Sequence, residues 1–261
     1  MKVKDIASAI ERLAPQALAY DWDNVGLLCG DMDQDVDRLL LTLDLDIGVV
    51  NEAVQKGVQL IVSHHPILFD PIQRITRQTP MGRLLYALIQ NNISFYAAHT
   101  NLDIAKGGLN DLLAKKVGLK NVEILEYIVD HTEGIGRIGD LDQPVSLCTL
   151  AERIKKVLNV DFLRYSGDSE GMVSRIAVNT GGGTSLIPAA IASKADVLIT
   201  GDYKYSQIRH CIEHDMKIID VGHYDTEFIV CELFYDYLKH QIGSEIELLV
   251  TEANKNVVKF I

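Results

Sequence analysis

Six side chains in three short motifs carry the strongest chemistry this 261-residue chain can offer. His64 and His65 are adjacent, His99 precedes Asp103 by four positions, and His223 precedes Glu227 by the same four. Four imidazoles and two carboxylates exceed what one four-coordinate structural zinc can use. The set suits two divalent ions bridged by carboxylates, with coordination left over for water. Neighbouring residues project in different directions, so a His-His pair serves two ions better than one. Zinc, iron and manganese all accept mixed histidine and carboxylate ligands, so the donor types do not choose the metal.

Two other stretches could contribute. Tyr20-Asp21-Trp22-Asp23-Asn24 sets the only tryptophan among carboxylates and an amide. It reads equally well as a capped turn before a strand and as a place from which Asp23 or Asn24 enters a site. Thr180-Gly181-Gly182-Gly183-Thr184-Ser185 opens a helix, and backbone N–H groups in such a loop can hold an anion. It matches neither a Walker loop nor a dinucleotide fingerprint, and a tight turn is the better reading of Gly181–Gly183. His131, His210, His214 and His240 fit no ligand spacing and read as solvated.

Strands are needed to aim these groups. Leu60-Ile61-Val62 is the short apolar run of a buried central strand, and it stops at Ser63. Pro66 lacks a backbone donor and holds His65 extended, which ends the ladder. The paired imidazoles therefore stand at the carboxyl end of a strand, where open α/β sheets build their sites. Ile93–Ala98 is a second strand that delivers His99, and His99 to Asp103 are expected in a loop before Gly107-Gly108. Arg38–Asp46 reads as a strand. Val3–Leu13, Ile47–Lys56, Met81–Gln90 and Leu109–Val117 read as helices, the second with Val50, Ala53 and Val54 inward. Such alternation predicts an α/β fold with largely parallel, mixed sheets. Asn121–Gln143 is less regular, which places a boundary near residue 125. The expected units are 1–125 and 126–261, with the C-terminal segment able to fold back on the first.

The second half repeats the first. A shift of 137 positions carries Leu39–Asp44 onto Ile176–Gly181, and Leu60–His65 onto Val197–Asp202. A shift of 124 carries Phe95–Asp103 onto Ile219–Glu227, so His99 meets His223 and Asp103 meets Glu227. Two similar α/β halves, each with polar residues at two strand ends, are the expected architecture.

A hydrophobic content of 48% with 23% charged residues is globular. A net charge of −11 argues against nucleic acid or an anionic membrane as the main partner. Four widely spaced cysteines without a CxxC pair suggest reduced thiols. No apolar run approaches the ~20 residues of a membrane span, and the first residues lack the apolar core of a signal peptide, so a cytoplasmic, soluble protein is expected.

The combination Trp22-Asp23-Asn24-x-Gly26-Leu27, Ser63-His64-His65-Pro66, His99-Thr100-Asn101-Leu102-Asp103, Gly134-x-Gly136-Arg137-x-Gly139 and Gly222-His223-x-x-x-Glu227 resembles the NIF-three-like family. Its bacterial members are often labelled GTP cyclohydrolase type two homologues. The resemblance spans nearly the whole chain and implies the short form, without the domain that longer relatives insert. It implies a dinuclear metal site between the halves and a ring-shaped homohexamer. Carried over by position, the metal ligands are His64, His65, Asp103, His223 and Glu227, with Glu227 and Asp103 as the bridging carboxylates. His99 lies in the motif close to the metals, as a proton carrier or an extra ligand, and His99 or Asp23 is the group expected to move protons. The expected activity is hydrolysis of a small phosphorylated or nucleotide-like substrate by a water activated between two divalent ions. The alternative is a non-catalytic metal-binding or regulatory scaffold.

Overall fold

The fold is a computed structural model that describes residues 1–129 and 131–259. In chain order it runs α1 (Val3–Leu13), β1 (Gly26–Cys29), β2 (Arg38–Thr42), α2 (Ile47–Lys56), β3 (Leu60–Ser63), α3 (Pro80–Gln90), β4 (Ser94–Ala97) and α4 (Thr100–Ile104). It continues with α5 (Leu109–Val117), β5 (Lys120–Val129), β6 (Glu133–Ser146), α6 (Leu147–Leu158), β7 (Arg164–Ser166), β8 (Met172–Val178), α7 (Ile187–Ala192) and β9 (Val197–Thr200). Then come α8 (Tyr205–Glu213), β10 (Lys217–Asp220), α9 (His223–Glu227), α10 (Val230–Ile242) and β11 (Glu247–Val250). Contacts divide the chain into two compact units. One holds Met1–Ala105 with Val230–Val257, and the other is built on Lys106–Ile229. The division after Ala105 lies ahead of the boundary expected near residue 125, which falls inside β5.

The first unit is a five-stranded sheet in the order β1-β4-β3-β2-β11. Its pairings are parallel except β1 with β4. β2, β3 and β4 are buried almost throughout, so their runs of Leu, Ile, Val and Phe do not alternate with polar residues. Leu40, Ile61 and Phe95 turn to one face and meet Val49, Val50 and Ala53 of α2 and Leu88 of α3. α10 packs on β2 and on α1. In α2 the Asp46 side chain caps the Val49 amide and Gly57 closes the helix in the left-handed region. Val54 is 42% exposed, contrary to the expected inward stripe. The buried arc is centred between Val49 and Ala53, and Val54 lies a further 100° round the helix.

The second unit is a six-stranded sheet in the order β5-β6-β8-β9-β10-β7. Only β8-β9 and β9-β10 are parallel, so this sheet is more antiparallel than the first. The stretch expected to be irregular, Asn121–Gln143, forms most of the β5-β6 pair. Register shifts in that ladder break the strict alternation by which a strand is recognised in sequence.

The internal repeat reaches the hydrogen-bond register. Leu39, Leu40 and Leu41 pair with Leu60, Ile61 and Val62. Ile176, Ala177 and Val178 pair with Val197, Leu198 and Ile199, the same ladder moved by 137. The third strands depart by one residue. Ile61 faces Phe95 whereas Leu198 faces Ile218, so the strand shift is 123 and not 124. The additional residue falls between β10 and His223, where Gly222 adopts φ +96°.

Candidate metal centre

In the first unit β3 and β4 end side by side and deliver three imidazoles. The amides of His64 and His65 still donate to the carbonyls of Thr42 and Leu43, at 3.3 and 3.0 Å, before Pro66 ends the pairing. The three rings of His64, His65 and His99 have centroids 5.2 to 5.5 Å apart. One ring nitrogen of each lies within 4.8 Å of those of the others. Each Nδ1 is engaged by oxygen: His64 with the Ala98 carbonyl at 2.8 Å, His65 with Asp44 Oδ1 at 2.7 Å, and His99 with Asp23 Oδ1 at 2.9 Å. A carbonyl or carboxylate only accepts, so Nδ1 carries a proton in each ring, and in the neutral form the lone pair falls on Nε2. That is the arrangement by which proteins orient metal-ligating histidines.

Asp23 serves His99 and its neighbour together. Its side chain is fully buried, and its oxygens accept from His99 Nδ1, from the Thr100 amide at 3.1 Å and from Thr100 Oγ1. Burial pushes the Asp23 carboxyl up, but these hydrogen bonds outweigh it and hold the group at about 2. His99 to Asp103 do not form the expected loop: Thr100–Ile104 is a single turn of helix, α4. The turn puts Asp103 beneath the histidines, with Oδ1 3.7 Å from His64 Nε2. Asp103 is 8% exposed and His64 fully buried, a setting in which a carboxylate gains from facing a cation.

In the second unit the carboxyl ends of β8, β9 and β10 gather around α9. His223 Nε2 lies 3.0 Å from Glu227 Oε2, and His223 Nδ1 lies 2.8 Å from Asp202 Oδ2. Hydrogen bonding to Glu227 pushes the His223 imidazole up to about 9, with Asp202 adding to it and burial opposing. Two carboxylates around one ring make a place that favours positive charge, whether a proton or a metal supplies it. Gly181 makes room for Glu227: a Cβ there would stand 1.9 Å from Oε1, and the residue has φ +63°. Its amide donates to Thr226 Oγ1, and that of Gly183 donates to Thr200 Oγ1. The glycine loop thus seats α9, and two of the amides an anion would need are already spent.

Five candidate residues, Asp23, His64, His65, His99 and Asp103, come together in the first unit, and His223 with Glu227 in the second. Asp44 and Asp202, which hold His65 and His223, were not singled out from the sequence. Asp202 carried a signal, because the 137-residue shift sets it opposite His65. Arg137 of the glycine-rich motif is structural. Its guanidinium forks onto Asp111 of α5 at 2.6 and 2.9 Å and donates to the carbonyls of Gly134 and Gly136. His131, His210, His214 and His240 are all exposed.

The family model described as Duf34/NIF3 (NGG1p interacting factor 3) matches residues 1–257. The chain belongs to this family. A relative from Clostridium perfringens, named GTP cyclohydrolase 1 type 2 homolog, is 37% identical over the full length of both proteins. Reduced HcgD from Methanocaldococcus jannaschii is 33% identical, with a TM-score of 0.82 over 97% of this chain and 98% of that one. A Bacillus cereus protein related to NIF3 superposes with a TM-score of 0.91, covering 100% of this chain and 99% of the other. At 24% identity it speaks for the Duf34/NIF3 fold alone.

Proposed function

We propose that the chain is a hydrolase dependent on two divalent metal ions, acting on a small phosphorylated or nucleotide-like molecule. His64, His65, Asp103, His223 and Glu227 are the proposed ligands, with the two carboxylates offsetting the charge of the cations. The observation that carries this reading is the set of three imidazoles whose Nδ1 atoms are each taken by an oxygen acceptor and whose ligand nitrogens converge. Imidazoles held in a common orientation gain nothing for the core by this arrangement; those of His64 and His65 fit the donor set of a metal, with His99 beside them. The relatives' name, GTP cyclohydrolase 1 type 2 homolog, supports a nucleotide-like substrate.

Bound divalent ions at such a site supply Lewis acidity toward a phosphoryl or carbonyl oxygen and lower the pKa of water. The chain's own residues do the rest. His99 takes and returns the proton at Nε2, and Asp23 keeps the proton of the same ring on Nδ1. Held at about 2, Asp23 stays ionised through neutral pH and is assigned to orienting His99 and not to carrying protons itself. Asp44 and Asp202 orient His65 and His223 in the same manner. A ring of six chains completes the proposal, on the strength of the family resemblance.

Elemental analysis of protein purified without chelators, followed by a screen of nucleotides and phosphoesters, tests the reading. Two metals per chain with metal-dependent turnover is the expected result. Two metals and no turnover on any substrate would leave the chain a metal-binding scaffold, and a metal-free protein would end the proposal.

A further inference from the structure

We propose that the ligand acted on at this centre carries a planar heteroaromatic ring of nucleobase size, which stacks on a platform formed by Trp22 and Phe69. The inference deepens the metal-dependent reading and rests on it for the chemistry beside the ring. Trp22 is 61% exposed and Phe69 53% exposed, with ring centroids 6.4 Å apart and planes inclined by 31°. Both lie roughly perpendicular to the His99 ring, Trp22 with centroids 6.0 Å apart and Phe69 with centroids 6.2 Å apart. The platform therefore borders the histidine cluster, and the two cannot be separate sites.

The backbone that carries the two rings is held on both sides. The Asp23 amide donates to the Tyr20 carbonyl at 2.9 Å and closes a turn around Trp22. The Tyr20 amide is fixed to Thr100 Oγ1 at 3.2 Å, and Asp23 is fixed to His99 and Thr100. Tyr20 stacks on Trp22 at 5.7 Å and 17°, which sets the indole plane. On the other side, the Asn24 side-chain amide donates to the Leu68 carbonyl and so holds the residue next to Phe69. Asp23, which orients His99, and Asn24 next to it thus fix the segments that carry two exposed aromatic rings beside that imidazole. Each such ring exposes area that burial would favour, and a flat ring is the occupant that recovers it while leaving its substituents free to reach the imidazoles. Stacking on aromatic side chains tolerates any base, because every base has a π-face.

Trp22 is the only tryptophan beside ten tyrosines in the chain, so fluorescence of the metal-loaded protein excited selectively at tryptophan reports on this surface. Titration with guanosine and adenosine monophosphates should quench it saturably, and ribose 5-phosphate should not. Phe69→Ala should weaken the quenching roughly 5- to 100-fold, the usual worth of one stacked base, with metal content unchanged. By equilibrium dialysis Trp22→Ala should lose a similar factor and Trp22→Phe should recover most of it. Absence of saturable quenching by either nucleotide, or equal quenching by ribose 5-phosphate, overturns the platform. So does a Trp22→Ala chain whose oligomeric state changes while the nucleotides bind neither form, which makes the surface an interface between copies. Repeating the titration after chelation separates the two proposals. Ring binding by a chain that never holds metal supports the platform and defeats the metal reading, whereas metal binding without ring binding defeats the platform alone.

Discussion

The roles of individual side chains are decided by who holds them. His99 is clamped through Nδ1 by a buried carboxylate, so His99→Ala removes a proton carrier and should leave the proposed ligands in place. Metal content should stay near two per chain while turnover falls about 10²–10⁴-fold, the usual worth of a general acid or base. A parallel loss of metal would make His99 a ligand. Gly181 permits a second test. A methyl group at that position would overlap Glu227 Oε1 and would sit on a left-handed backbone that costs a non-glycine residue about 1–2 kcal/mol. Gly181→Ala should therefore deplete metal as strongly as Glu227→Gln, although it removes no ligand atom. Inductively coupled plasma measurements on both variants check this, and a fully loaded Gly181→Ala protein would remove Glu227 from the ligand set. The candidate ligands themselves were legible because His-His and two four-residue spacings are local patterns. Asp44 and Asp202 were not, since they reach their histidines across 21 positions in each case, and an aspartate at a strand end looks like any turn residue.

At the scale of elements, the carboxylate of Glu52 joins α2 to the segment following β11. It accepts from Lys56 Nζ, from Thr251 Oγ1 and from the amides of Glu252 and Ala253 at 2.6 to 3.1 Å. Burial raises the Glu52 carboxyl, yet these bonds outweigh it and hold the group at about 2 against an ordinary 4.5. Its folded pKa is depressed, so its stabilisation is complete above about pH 4.5 and disappears as pH falls toward 2. Glu52→Gln should cost about 2–3 kcal/mol at neutral pH, read as a lower urea midpoint, and the difference from the unmodified chain should vanish near pH 2. A pH-independent difference would show that packing and not charge is lost. Helices and central strands were readable because Val, Ile and Leu recur with periods near 3.6 or in unbroken buried runs. The single turn of α4 was not, for five residues carry too little periodicity. The return of α10 and β11 to the first sheet was open at the sequence level because parallel pairing between Leu39 and Leu248 joins residues at opposite ends of the chain and leaves no local signal.

For the molecule as a whole, the proposal predicts two divalent metals and a six-chain particle, and light scattering at micromolar concentration reads the latter directly. A monomer would remove the ring from the reading. Its two sheets share three parallel strands in the same order, and two of them keep their pairing to the residue across a 137-position offset. At the end of the shared central strand one copy presents His64-His65 and the other Gly201-Asp202. The repeat thus extends to the ladder and stops at its tips. Positions 64, 65, 201 and 202 are consequently two different residue pairs mounted at matching tips of one repeated ladder, so the framework beneath them does not dictate which donors they carry.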